Sequence, residues 1–280
     1  MIDKRKLKVL RKHKAAMLGL GLLTALVLFS ATVDVFSPYE PGHMDQHRVM
    51  EKPSGSHVLG TDDTGRDIFT RLGHGGRVSL LIGLAAVGLS MALGVPLGAL
   101  AGYLGGWADL VVSRILEVML ALPTILLAIL IAVAIGKGMS ALIFAVGIVG
   151  IPQFARQVRG SVLALREQDF VQASRALGAS TLRTLFREVV PNALGPIIVL
   201  ATLGVGSAIL TAAGLSFLGL GVETGTPEWG AMLHEGRRAV ERGPHLAIFS
   251  GLAITLAVLA INLFGDGLRD ALDPRAEKKA

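Results

Sequence analysis

Apolar residues in this chain gather in blocks instead of alternating with polar ones. Six blocks stand out, at about 15–33, 78–101, 110–135, 139–158, 192–215 and 246–264. Each is close to the ~20 residues a helix needs to cross the hydrocarbon core of a bilayer. In lipid every backbone N–H and C=O must be bonded internally, so a crossing is a helix or part of a closed barrel. Barrel strands alternate at period two, whereas Ile125–Ile135 is apolar on every side. The pattern therefore predicts an all-α membrane protein with six transmembrane helices. The first block follows basic residues, as a secretory signal does. Its apolar core is longer than the roughly 7–15 residues of a signal, and no A-x-A site follows near Val33. It reads as a retained anchor.

These blocks divide the chain into a basic N-tail 1–14, an anchor 15–33, an outer loop 34–77, a five-helix core 78–264 that contains a long connection 159–190, and a C-tail 265–280. Pro96, Pro123, Pro152 and Gly195-Pro196 fall inside spans. They fit ordinary membrane-helix composition and equally kinks that bend helices around a pathway. Gly83, Ala86 and Ser90 suit close helix packing.

Composition supports the bilayer. Only 17% of residues are charged and 52% are hydrophobic, and the mean hydropathy is +0.61. An ordinary soluble domain carries about 25% charge. The net charge of +6 would suit nucleic acid, but the Lys and Arg flank apolar runs, so no nucleic-acid partner is expected. With the N-terminus inside, the 27 Lys and Arg divide two to one in favour of cytoplasmic segments, as the positive-inside rule expects. Both termini are thus placed in the cytoplasm. The tail Lys4-Arg5-Lys6-Leu7-Lys8 suits anionic lipid as well. The chain has no cysteine, which removes disulfides, thiol nucleophiles and zinc–thiolate sites.

The connection 159–190 is not loop-like. Asp169-Phe-Val-Gln172 has the form of a capping box, and a helix is expected through Leu177. Gly178 suits the left-handed residue that ends a helix. Ser180 is placed to cap a second helix, in which Leu182, Leu185, Phe186 and Val189 form an i, i+3, i+4, i+7 stripe. Pro191 is expected to stop it. Two short helices would meet at a glycine on the cytoplasmic face, either as a surface hairpin or as a docking knob. The small residues Ala173, Ser174, Gly178 and Ala179 would permit close approach.

Gln172-Ala-Ser-Arg-Ala-Leu-Gly178-Ala-Ser, followed by Val190-Pro191-Asn-Ala, resembles the EAA loop of permease subunits in ATP-binding-cassette (ABC) importers. The family glutamate is Gln172 here and the second alanine is Ser174. Leu59-Gly-Thr-Asp-Asp-Thr-Gly-Arg-Asp-Ile-Phe-Thr-Arg71 resembles the segment before the second span of dipeptide and oligopeptide permeases. Phe217-Leu-Gly-Leu-Gly221, Thr226-Pro-Glu-Trp-Gly230 and Asn262–Pro274 resemble their last outer loop and ending. The short N-terminus and outer loop look like the dipeptide C-type subunit; nickel importer subunits share the pattern. The resemblance covers about Pro38 to Arg275.

It implies the type I ABC importer permease fold, with Asp169, Gln172, Ala173, Ser174, Gly178, Ala179 and Ser180 in an ATPase-coupling loop. It also implies a second paralogous permease as heterodimer partner, two cytosolic ATP-binding subunits that carry ATP and Mg, and an extracytoplasmic solute-binding protein. The setting would be a bacterial or archaeal cytoplasmic membrane. This chain itself is expected to bind no cofactor. Gly60, Asp62, Gly65, Arg66 and Asp67 form the outer-loop motif. Asp62, Asp63 and Asp67 lack EF-hand spacing, so Arg66 is expected to order the loop through salt bridges and no metal is assigned. Glu228 and Trp229 are candidates for an outer gate or, for the Trp, an interfacial anchor. His43 and His47 read as a solvated pair.

Two other functions compete. A self-contained secondary transporter usually carries ionisable groups at mid-membrane depth, and the span centres here lack them. A membrane-embedded enzyme would need a catalytic constellation, and no H-E-x-x-H or paired intramembrane Asp is present. No catalytic residue is assigned. The Walker motif G-x-x-x-x-G-K-[ST] is also missing, so ATP hydrolysis would fall to separate subunits. Peptides are the expected cargo, with nickel or another small solute as the alternative.

Overall fold

The computed structural model describes residues 9–272; the basic run at Lys4–Lys8 and the end of the C-tail lie outside them. Among the described residues the main helices are α1 Lys14–Phe36, α2 Ile68–Leu104, α3 Gly106–Ala121, α4 Thr124–Ile135, α5 Met139–Leu165, α6 Asp169–Ala176, α7 Thr181–Thr184, α8 Leu194–Phe217, α9 Trp229–Arg238 and α10 His245–Leu272. Helices α1, α2, α5, α8 and α10 are each long and apolar enough to span a membrane.

The expected third span, 110–135, is not one helix. It divides into α3 and α4, which bend by 96°. Leu122 is extended, at φ −87° and ψ 139°, because a following proline disfavours helical backbone. Pro123 then leads into α4 with its missing N–H at a helix start, where none is needed. Pro96 and Pro152 lie inside unbroken helices. Two expected boundaries also move. Residues 68–77, read as outer loop, are the first turns of α2, and α10 continues past 264 to Leu272.

Apolar attraction between helices is weak in lipid, so close backbone approach holds such a bundle together. The α2–α5 pair shows how. Gly94, Gly98 and Gly102 recur at every fourth position of α2 and meet Phe154, Ala155 and Val162 of α5. From the other side, Gly147 and Gly150 of α5 receive Leu89 and Ser90. Ser90 Oγ donates to Gly147 O at 2.6 Å. Helix α1 sits against α10 through Gly19, where a Cβ would lie 2.6 Å from Ala260 O.

The core forms three layers along the bundle. One end is built on Ile68, Trp229, Met232 and Leu246. The middle holds Ile82, Leu142, Ala145 and Leu215. The other end holds Tyr103, Val158, Val171, Leu185 and Val189. The two end layers carry the two regions singled out in the sequence.

Candidate coupling and outer-loop sites

The connection after α5 folds as two short helices that meet at Gly178. Asp169 is not the N-cap. Gln168 holds that position, with no side-chain cap bond, and Asp169 lies in the first turn of α6. There its charge complements the helix dipole in place of closing a capping box. The C-terminus follows a Schellman pattern: Gly178 N–H donates to Arg175 O at 2.9 Å and Ala179 N–H to Ser174 O at 3.1 Å. That geometry requires a left-handed residue, and Gly178 has φ +84°.

Ser180 takes the N-cap position of α7 but makes no side-chain cap bond. The predicted apolar stripe splits. Leu185 and Val189 are fully buried, whereas Leu182 and Phe186 are exposed. The cause is a π-helical segment over Leu185–Val189, whose extra residue per turn rotates the stripe. Pro191 does not stop the helix. It sits at the start of the turn Val190–Asn192, where its missing N–H is tolerated, and the chain runs on into α8.

Two contacts tie this element to the bundle, and a third closes the element on itself. Val171, Leu185 and Val189 enter the end layer beside Val158 and Val162. Arg175 Nε donates to the Tyr103 hydroxyl at 3.1 Å, and its guanidinium carbon lies 4.8 Å from the centre of that ring. Ser174 Oγ donates to Glu188 at 2.7 Å. The other side is bare. Leu177 is 88% exposed, next to Gly178, around which a Cβ would meet nothing. Gln172, Ala173, Arg183 and Arg187 are also exposed. An apolar tip rimmed by polar groups has the character of a protein-binding surface. The sequence reading missed Leu177, Arg175, Tyr103 and Glu188. Leu177 was legible as the apolar residue before a helix-ending glycine; Tyr103 comes from α2, and Glu188 reaches Ser174 only when the two short helices fold together.

At the opposite end, the outer loop is locked by a buried charge network. Asp62 is fully buried. It accepts from Thr64 N–H at 2.8 Å, Arg66 N–H at 3.0 Å and Arg66 Nε at 2.7 Å, and it pairs with Arg71. Burial would push the Asp62 carboxyl up, but the Arg71 guanidinium, the Arg66 N–H and the Arg66 charge together hold it below the usual carboxylate range. Glu235 of α9 joins through Arg66 Nη2 at 3.2 Å and Arg71 Nη1 at 2.7 Å. Arg66 thus pairs with Asp62 and Glu235, not with its neighbour Asp67. Asp67 caps α2 instead, accepting from Thr70 N–H at 2.8 Å and from Thr70 Oγ1 at 2.7 Å, and contacts His57 Nδ1 at 2.9 Å. Gly60 and Gly65 both have positive φ.

Asp62, Asp63 and Glu235 bring carboxylate oxygens within 4.8 Å of one another. Arg66 and Arg71 already supply the counter-charge. Asp63, exposed at the edge of this cluster, is pushed up by desolvation and by the Asp62 and Glu235 charges.

Trp229 does not face the bilayer surface, as an interfacial anchor would. It is 1% exposed, and its indole N–H donates to Leu72 O at 2.9 Å. Glu228, equally buried, caps α9 by accepting from Gly230 and Ala231 N–H, both at 2.8 Å, and takes a bond from Ser79 Oγ at 3.0 Å. Arg71, His57 and Glu235 were not singled out from the sequence. Arg71 and Glu235 meet across more than 150 residues of chain, and His57 meets Asp67 only through the fold of the loop itself.

Residues 94–278 match the family of binding-protein-dependent transport system inner membrane components. Residues 4–53 match the N-terminal TM domain of oligopeptide transport permease C. The chain is 44% identical over 268 residues to the dipeptide transport system permease protein of Alkalihalophilus pseudofirmus, covering 96% of this chain and 88% of that one. It is 46% identical to the glutathione transport system permease protein of Pectobacterium atrosepticum, covering 96% and 89%. It is 44% identical to the di/tripeptide transport system permease protein of Pseudomonas aeruginosa, covering 96% and 90%. Among solved structures, an inward-facing conformation of the MetNI methionine ABC transporter aligns with a TM-score of 0.60 at 20% identity. It covers 72% of this chain and 96% of that one, a likeness of fold.

Proposed function

The chain belongs to the binding-protein-dependent transport system inner membrane components, and from that membership we propose that it forms half of the translocation pathway of an ATP-driven importer for small peptides. The observation that carries this reading is the two-helix element at Gly178. It presents a bare apolar tip outward while its inner side is fastened to the ends of α2 and α5. Such an element can pass a push from a bound motor to the spans, because packed helices move as units between discrete arrangements.

Two ATP-binding subunits would hold ATP and Mg, one of them docked on this tip; the Walker motif is missing from this chain. A second, paralogous permease would complete the pathway, and a solute-binding protein would dock on the outer face. Both termini would be cytoplasmic, in keeping with the two-to-one basic bias. Relatives named for dipeptide, di/tripeptide and glutathione transport support short peptides, with or without a γ-linkage, over nickel.

The test is reconstitution in vesicles with the second permease, the ATPases and the binding protein. ATP-dependent uptake of a labelled dipeptide should require every component. Uptake by this chain and a binding protein alone would overturn the reading.

A further inference from the structure

Helix α5 has two unlike faces. Phe154, Ala155, Val158 and Val162 are buried against the rest of the bundle. On the other side Gln153, Arg156, Gln157 and Ser161 form a polar stripe at i, i+3, i+4, i+8. They line an open cavity of about 550 Å³ whose other walls include Leu120 at the end of α3 and Leu200 on α8. Beyond Leu120 the chain bends by 96° between α3 and α4. At 1.5 Å per residue, Arg156 lies about 26 Å along α5 from Met139, near the inner end of a ~30 Å hydrocarbon core.

A polar stripe on a spanning helix faces a water-filled cavity or the bundle interior, because charge and amide groups are costly in lipid. The next two basic residues along α5 and at its end are neutralised: Arg159 by Asp109, with Nη2 to Oδ2 at 2.7 Å, and Arg166 by Glu167 at 2.9 Å. Arg156 is exposed and takes no carboxylate partner among the described residues. It shares the cavity with two carboxamides, Gln153 and Gln157, each of which both donates and accepts.

We propose that Arg156, with Gln153 and Gln157, forms a site on the pathway wall for the carboxylate end of a passing peptide. A guanidinium matches a carboxylate in a two-pronged fit. Gln153 and Gln157 suit the adjacent amide group, whichever side chains the peptide bears. The site would recognise what all short peptides share and leave their side chains free. This inference rests on the reading of the chain as an importer subunit and adds to it the residues that meet the cargo.

The absence of cysteine makes the test direct. Gln153→Cys, Gln157→Cys and Ser161→Cys are introduced singly into the assembled transporter, with partner cysteines removed. Each is labelled from the cytoplasmic side, without nucleotide, by an anionic and a cationic membrane-impermeant thiosulfonate. Rates are divided by those of a free small thiol. The anionic reagent should be favoured roughly tenfold at 153 and 157, the low end of charge focusing in a cleft. Arg156→Gln should abolish that preference and Arg156→Lys should retain it. A dipeptide acid should slow labelling at Gln157→Cys more than its C-terminal amide does, and in Arg156→Gln the two should act alike.

Failure of all three cysteines to label would show that the stripe does not face water, and the inference would fall. Labelling without charge preference would show that a partner subunit's carboxylate neutralises Arg156, with the same consequence. Equal protection by acid and amide would remove the carboxylate site. ATP- and binding-protein-dependent uptake by the unmodified transporter is measured in parallel. Its absence would overturn the importer reading without bearing on the labelling pattern.

Discussion

Two residues concentrate what this fold asks of single side chains. Gly178 has φ +84° and open space where a Cβ would stand. Substituting Val there would strain the backbone by about 1–3 kcal/mol without a clash inside the chain. We expect Gly178→Val to insert and pair normally while ATPase co-purification and uptake fall sharply; unchanged uptake would reduce the element to a surface hairpin. Asp62 presents the opposite case, a fully buried carboxylate between two guanidiniums. Asp62→Asn would leave Arg66 and Arg71 short of counter-charge, and breaking a buried pair costs about 3–5 kcal/mol. The same pairing gives a pH dependence of definite sign. The folded Asp62 carboxyl titrates below its usual value, so its stabilisation is complete above the ordinary carboxylate pKa and is lost as pH falls through the lowered one. Amide protection over residues 51–71, taken relative to the intrinsic exchange rate at each pH, should therefore fall in acid in the wild type, and in Asp62→Asn should already be low at neutral pH.

At the scale of elements, the question is how α6 and α7 grip the bundle. Arg175 is the one charged side chain of α6 with a described hydrogen bond to a spanning helix, through the hydroxyl and ring face of Tyr103 at the end of α2. A contact of that kind transmits motion only while it is made. Tyr103→Leu should leave ATPase binding intact but lower the solute imported per ATP hydrolysed. Tyr103→Phe keeps the ring and should lie between Tyr103→Leu and wild type. Measuring uptake and hydrolysis on the same vesicles separates the two effects. An unchanged ratio in Tyr103→Leu would assign transmission to the apolar contacts of Val171, Leu185 and Val189 instead. On the outer side of the same element, Leu177→Asp places a charge on the bare tip and should weaken ATPase co-purification by about tenfold or more, as loss of a central apolar contact does.

Across the whole molecule, the bundle leaves many large apolar residues exposed, among them Leu130, Val133 and Leu210, as a chain surrounded by lipid and by other subunits should. The proposed orientation follows from the basic bias. Reporter fusions after Lys52 and Thr224 should read outside, and one after Glu167 should read inside. An outside signal at Glu167 would remove the cytoplasmic tip and the coupling argument together.

Hydrophobic blocks alone determined that this chain crosses a membrane as helices, because backbone groups in lipid have no other partners. The glycine at 178 and the charge bias were equally local signals, one set by backbone sterics and the other by loop composition. Tertiary structure decided what depends on pairs distant in sequence. Asp62, Arg71 and Glu235 meet only because the outer loop folds onto α9. Trp229, legible as an aromatic near a membrane surface, is buried because α9 packs over the start of α2. The third span bends at Leu122-Pro123 while Pro96 and Pro152 leave their helices unbroken. A proline sets a weak point, but the neighbours around it decide whether the helix gives way there. The polar stripe of α5 was written in the sequence at helical spacing. That it lines a cavity, with Arg156 free of carboxylates among the described residues, followed only once α2 had covered the opposite face.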